Sequence, residues 1–345
     1  MSGGASPTAA AMRRRLRAAA ARVPHARQAA RVLRALAAVP RAWDPEQPSP
    51  EPPPYPGSAR FLAWQPPGHF YSPVPDWDEI ERDADRLFSR PSSLPSIDLH
   101  EDEQVALFAE LAALAREVPA PGKGPGRFAP NDSYGIGDAT VLQSMLRRLR
   151  PKRYVEVGSG WTTALAADTN DTFLDGSMEM VTIDPYPELV RRLLPSAGVK
   201  IVGTRVQDAP MAVFEQLEAG DVLFIDSSHV DKPGSDVHYL YTRVLPRLPA
   251  GVHVHIHDIF WPFDYIRGWL EEGRAWNEAH LLHAFLLFNE RFRIEFFCDW
   301  FVFIHGAEIE RLLPAILENT GGAIWLVVDD VPGSARAPVG DAEGH

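Results

Sequence analysis

The sequence predicts an α/β chain: a mostly parallel, Rossmann-like sheet with helices on both faces, preceded by a helical cap. Three observations predict it. The run Arg153-Tyr-Val-Glu-Val-Gly-Ser-Gly-Trp-Thr162 reads as a buried strand over Tyr154 to Val157, a tight turn at Gly158-Ser159-Gly160 and the opening of a helix. About one helix later, Val181-Thr-Ile-Asp184 is a second β-branched strand, ending in an acid, which is the spacing of a βαβ unit. Further on, Val222 to Ile225 is a continuous apolar run, as expected of a strand covered on both faces.

In chain order, residues 1–57 come first as a basic, alanine-rich arm and a linker. The arm carries arginines from Arg13 to Arg41 and no acid before Asp44. Leu16, Val23, Leu33 and Leu36 form an apolar stripe that Pro24 interrupts. Arginines break every apolar stretch, which argues against a signal peptide. The arm reads as a helix docked on the acidic body, a self-association element of a homo-oligomer, or a basic tail. Pro45 to Pro56 is proline-rich and extended. Residues 58–135 form the cap, with helical spacing over 76–89 and 102–118 and with Asp76 and Asp102 as caps. A helix over 139–149 leads into the first strand of the sheet domain, 136–330, and the Gly, Ala and Pro-rich residues 331–345 are expected to be poorly ordered.

Composition narrows the partners. The net charge of −12 argues against nucleic acid, whose binding draws on clustered lysine and arginine, and favours a small-molecule substrate. No apolar run approaches the roughly 18 residues of a membrane span. Cys298 stands alone, which excludes an intrachain disulfide and a multi-cysteine zinc site and is compatible with a reducing cytoplasm.

The glycine turn points to a nucleotide cofactor. Gly158 and Gly160 let a ligand approach the backbone where a Cβ would collide. A carboxylate at the end of the second strand, Asp184, suits ribose hydroxyls. The third glycine of the dinucleotide fingerprint is missing and Trp161 stands where a pyrophosphate needs close access, which disfavours a nicotinamide dehydrogenase. Glu156 stands two residues before the first glycine.

Taken together, Val155-Glu-Val-Gly-Ser-Gly160, Ile183-Asp-Pro185, Val206-Gln-Asp208, Asp221-Val-Leu-Phe-Ile-Asp226 and His255-Ile-His-Asp258 resemble the ordered motifs of class I S-adenosylmethionine-dependent methyltransferases, over roughly residues 130–330. The resemblance implies a seven-stranded sheet and S-adenosylmethionine as cofactor. Glu156, Gly158, Ser159, Gly160, Asp184, Gln207, Asp208 and Asp226 would surround that cofactor. Asn131, Tyr134 and Asp138 would either reach its methionine end or simply cap and staple the helix that follows. The implied activity is methyl transfer to a small molecule in specialised metabolism. Two alternatives stay open: cyclisation of the cofactor's own aminobutyryl chain with release of methylthioadenosine, and a noncatalytic interaction protein that keeps the fold.

Methyl transfer asks for a nucleophile held in line with the sulfonium methyl at about 3–3.5 Å, with its proton removed where necessary. Candidates therefore lie at the carboxyl ends of the fourth and fifth strands. The fourth ends in Asp226-Ser-Ser-His229, and a histidine titrating near 6.5 is a natural base. Asp226 would position cofactor or substrate. In the fifth, Gly251 to Asp258, the side chains of His253, His255 and His257 share one face but spread over roughly 13 Å, too far for one ion. His257-Asp258 is thus the functional end, with Asp258 holding the nucleophile or a metal. Asp226, His229 and Asp258 together resemble the metal-dependent branch typified by catechol O-methyltransferase, and such a donor set suits Mg²⁺ or Mn²⁺ better than zinc. That branch carries a second acid or an asparagine where Ile259 stands here, which leaves one ligand unaccounted for. Phe260 to Tyr265 and Trp269 form an aromatic lip that either contacts substrate or packs the next helix onto the sheet. Asn277, Glu278 and His280, at the start of a helix over 276–288, could face the cleft. Phe292 to Ile304 and Ala323 to Val328 are expected as a final antiparallel pair.

Overall fold

A computed structural model describes residues 65–124, 126–195 and 198–330. The arginine-rich arm with any self-association through it, the proline-rich linker and the C-terminal tail lie outside the described residues. Among the described residues seven strands form one sheet, in the order β3-β2-β1-β4-β5-β7-β6. They are β1 (Arg153–Val157), β2 (Glu179–Ile183), β3 (Val199–Val202), β4 (Val222–Ile225), β5 (His253–His257), β6 (Phe292–Phe297) and β7 (Ala323–Val328). The first five pair in parallel, and β7 runs antiparallel to both of its neighbours. β1 lies between β2 and β4, so the chain winds outward in both directions from it. The carboxyl ends of β1 and β4 thereby flank the switch point at which open α/β sheets bind ligands.

Burial explains the strand sequences. Every residue of β4 is fully buried, which is why that run is apolar on both faces. On β5 the alternating histidines point into the interior. His255 stacks on Phe224 with ring centroids 4.0 Å apart and meets Trp325 edge-on, while His253 Nδ1 lies 2.7 Å from Glu295. These two serve the packing of the sheet.

The helices used below are α1 (Trp77–Arg82), α2 (Glu101–Arg116), α3 (Ile136–Leu149), α4 (Trp161–Phe173), α5 (Glu188–Leu193), α6 (Arg267–Glu271), α7 (Glu278–Leu287) and α8 (Cys298–Leu312). Asp76 caps α1 as expected, its Oδ1 accepting from the backbone of Asp78 and Glu79. Asp102 does not cap α2. It sits inside the first turn, while His100 occupies the cap position in a left-handed conformation and Asp98 accepts its N–H. α2 packs on α3 and reaches β6 through Phe108, whose ring stacks on Phe296 with centroids 6.3 Å apart. One expected element is corrected: residues 298–304 are helical, and the strand ends at Phe297. The aromatic run there looks like a strand, but Trp300 and Phe301 are buried while Phe303 is exposed, a helical period that turns one face inward. No helix among the described residues is long and apolar enough to cross a membrane.

Candidate active site

Two groups of residues occupy the carboxyl edge of the sheet. The first surrounds a cleft of about 630 Å³ at the ends of β1, β2 and β4. Gly158, Ser159, Asp184, Gln207, Asp226, Ser227 and Ser228 line it. Ser159 donates to Asp184 at 2.6 Å, and the second Asp184 oxygen accepts the Tyr186 N–H at 2.7 Å. Gln207 donates to the Gly234 carbonyl, while its own carbonyl oxygen is buried without a partner.

The reason for Gly158 differs from the one its sequence suggests. Its φ is 88°, and a Cβ there would lie 2.2 Å from the carbonyl oxygen of Asp226. The close approach is to the neighbouring strand end, held further by the Asp226 N–H on Val157 O at 2.9 Å. Beside Gly160 the absent side chain leaves room for Leu189 of α5.

Several expected cofactor residues do not line this cleft. The side chain of Glu156 is buried beneath the turn, where the Thr162 hydroxyl of α4 donates to it. Asp208 is engaged by Arg205 on the surface. Asn131 accepts the N–H groups of Ser133 and Tyr134, Tyr134 is buried against His257 with ring centroids 5.0 Å apart, and Asp138 accepts the Gly322 N–H. For these last three the contacts made are those of capping and stapling around α3.

The second group lies at the ends of β4 and β5. His229 Nε2 is 3.4 Å from Asp226 Oδ1 and 3.4 Å from Asp258 Oδ2, so an imidazole and two carboxylates converge on one point. Their donor atoms all lie within 4.8 Å of one another, the separation expected of ligands to one cation. His229 and Asp258 both have φ of 58°, left-handed backbone that neither residue adopts without constraint. The other ring nitrogen of His229 lies 2.9 Å from Glu278, which the sequence offered only as a cleft-facing candidate. Burial acts to lower the His229 imidazole, but Asp226 and Glu278 outweigh it and take it up to about 10. Burial raises Asp258 despite the opposing pull of His257 and His229.

Asp226 belongs to both groups, since it lines the cleft and faces His229. Beyond His229 stand Trp276, with ring centroids 4.5 Å apart, and Trp269, and the Arg274 guanidinium lies over both indoles. Phe260, Trp261, Phe263 and Tyr265 are buried, so most of the expected lip packs the interior.

A family model described as a methyltransferase domain matches residues 155–259. An uncharacterized protein of Archaeoglobus fulgidus is 30% identical over 162 residues, covering 44% of this chain and 73% of that protein. Among solved structures, the chain is similar to the SAH-bound Podospora anserina methyltransferase PaMTH1, with 15% identity, a TM-score of 0.39 and coverage of 70% of this chain and 100% of the other. It is also similar to the O-methyltransferase TomG from Streptomyces achromogenes in complex with SAM, with 15% identity, a TM-score of 0.36 and coverage of 74% and 97%.

Proposed function

Residues 155–259 match a methyltransferase domain, and from that premise we propose that the chain is a class I S-adenosylmethionine-dependent methyltransferase that transfers the methyl group of S-adenosylmethionine to a small-molecule acceptor held beside a divalent cation. The observation that carries this reading is the convergence of Asp226, His229 and Asp258 at the ends of β4 and β5, next to the cleft.

The cleft fits the cofactor. Its volume falls within the roughly 300–1,000 Å³ of small-molecule sites. Asp184 stands at the end of β2, where ribose hydroxyls would compete with Ser159 and the Tyr186 N–H for its oxygens, and the orphaned Gln207 oxygen offers an acceptor to an exocyclic amine. When bound, the cofactor supplies an activated methyl group on a sulfonium. The donor set of two carboxylates and one imidazole fits Mg²⁺ or Mn²⁺, which would supply Lewis acidity toward an acceptor hydroxyl. Asp226 connects cofactor side and acceptor side, and Trp269 and Trp276 offer a half-buried apolar wall to the acceptor.

His229 was expected as the base, and the ligand role and the base role compete for one lone pair. At neutral pH an imidazole raised to about 10 holds its proton and cannot accept another. In this reading a cation takes the place of the Nε2 proton, Nε2 serves as a ligand, and the acceptor loses its proton to solvent. An acidic chain and the wall of Trp269 and Trp276 favour a small molecule over a nucleic acid, as in biosynthetic tailoring within the cytoplasm.

The test is turnover of S-adenosylmethionine against a panel of hydroxylated small molecules, followed by mass spectrometry. Expected are S-adenosylhomocysteine and a methylated product, loss of turnover on chelation, and recovery with Mg²⁺ or Mn²⁺. Full turnover in chelated protein that rises with pH toward 10 would return His229 to the role of base. Methylthioadenosine in place of S-adenosylhomocysteine would reassign the reaction to cyclisation.

A further inference from the structure

Glu278 opens α7, far along the chain from His229, and its side chain is wholly buried. A glutamate is seldom buried without a partner that uses its charge. Here Oε2 lies 2.9 Å from His229 Nδ1 and also accepts from Ser227 Oγ at 3.1 Å. The backbone of the same turn holds the same loop. Asn277 and Glu278 both donate their N–H groups to the His229 carbonyl, at 3.0 and 3.1 Å, and the Asn277 side chain bonds the N–H and carbonyl of Asp231. The left-handed backbone of His229 is thus fixed by a set of bonds that all come from the start of α7.

We propose that Glu278 is the positioning residue of the site, fixing the orientation and tautomer of His229 so that Nε2 presents its lone pair to a divalent cation shared with Asp226 and Asp258. A carboxylate on Nδ1 keeps the ring proton there. Nε2 faces Asp226 Oδ1 and Asp258 Oδ2, and a cation that displaces its proton satisfies all three atoms. Glu278 also makes the ring a stronger donor, and loss of such a partner typically weakens metal binding about 10–100-fold. The inference rests on the cation reading above, which a single titration separates from it.

The full-length protein is stripped with chelator and titrated with Mn²⁺, free ion being followed by electron paramagnetic resonance. S-adenosylhomocysteine affinity is measured in parallel as a check on the cleft. Expected are stoichiometric Mn²⁺ binding by the unaltered protein and roughly 10–100-fold weaker binding by Glu278→Gln with the cleft intact. Equal Mn²⁺ affinity in the two would overturn the role of Glu278 and leave the cation reading standing. No binding by the unaltered protein would overturn the cation reading, and this inference with it. Should Glu278→Gln lose the cleft too, the decisive measurement moves to the unaltered protein: ¹⁵N spectra of the histidine rings with added Mg²⁺, the His229 signals being assigned by their loss in His229→Asn. A proton on Nδ1 with Nε2 perturbed supports the inference, and a proton on Nε2 overturns it.

Discussion

The β1–β2 side and the β4–β5 side of the same sheet edge are built on different physical principles. On the β1–β2 side, Asp184 accepts from the Ser159 hydroxyl and from the N–H of Tyr186 two residues on, and Tyr186 is 79% exposed. On the β4–β5 side, His229 is 4% exposed, Glu278 is wholly enclosed, and the bonds between them join distant segments. Both left-handed non-glycine residues of the site, His229 and Asp258, belong to this second side. An open side of exchangeable hydrogen bonds suits reversible cofactor binding. A side that holds strained backbone and desolvated charge is committed in advance to one arrangement, as reaction chemistry requires. The two meet at the contact between Gly158 and the Asp226 carbonyl.

The largest effect should come from separating the sides. His229→Ala and Asp258→Asn each remove a proposed cation ligand, and the loss of several kcal/mol of transition-state stabilisation predicts kcat/KM lower by roughly 10²–10⁴-fold. S-adenosylhomocysteine affinity, measured by calorimetry, should be nearly unchanged. Asp184→Asn should do the reverse, weakening the cofactor analogue by about 10–100-fold through loss of charged hydrogen bonds while leaving Mn²⁺ binding alone. Equal losses of both properties in every variant would mean that the edge acts as one site.

A smaller but broader effect is expected where the sides touch. Gly158→Ala forces a Cβ against the Asp226 carbonyl and keeps a left-handed φ, which together cost on the order of 2–4 kcal/mol. Differential scanning calorimetry should show a Tm lower by roughly 5–15 °C. Because the displaced group is the backbone of Asp226, cofactor-analogue binding and Mn²⁺ binding should weaken together. An undisturbed Mn²⁺ affinity would show that Asp226 holds its place without this contact.

The same division governed what could be read from the sequence. β4 was legible because a buried parallel strand must be apolar and β5 from the alternation of its histidines with Val254 and Ile256, and the acids that follow, Asp226 and Asp258, must then emerge on the ligand-binding edge. Asp184 followed from the same logic. Glu278 was legible only as an acid in the first turn of a helix, a place any helix favours, since nothing local marks a partner on another loop. Asn131, Tyr134 and Asp138 carried two readings because a cap and a ligand site draw on the same residue types. Residues 298–304 misled through composition: β-branched and aromatic residues favour strands, yet here Trp300 and Phe301 pack one face of a helix whose first-turn Asp299 binds Arg90 and the Trp261 N–H.

Glu156 breaks the comparison, because it belongs to the cofactor side and is nevertheless wholly buried. Burial pushes its carboxyl up to about 8, against the lowering effect of hydrogen bonds from Thr162 and Thr163, and one of its oxygens has no partner. Below the ordinary glutamate range both folded and unfolded chains hold the proton, so the stability it allows is fully present there. As pH rises, the unfolded chain releases the proton first, and that stability is lost until the folded group ionises near pH 8. Glu156→Gln keeps the shape and the Thr162 bond but removes the ionisation. Its melting temperature without cofactor should therefore gain steadily on that of the unaltered protein between about pH 5 and 8 and gain no further above about pH 9. Parallel melting profiles across that window would show that Glu156 is ionised in the folded state. The strand beneath the glycine turn would then carry a buried charge, and the cofactor side would share the character of its neighbour.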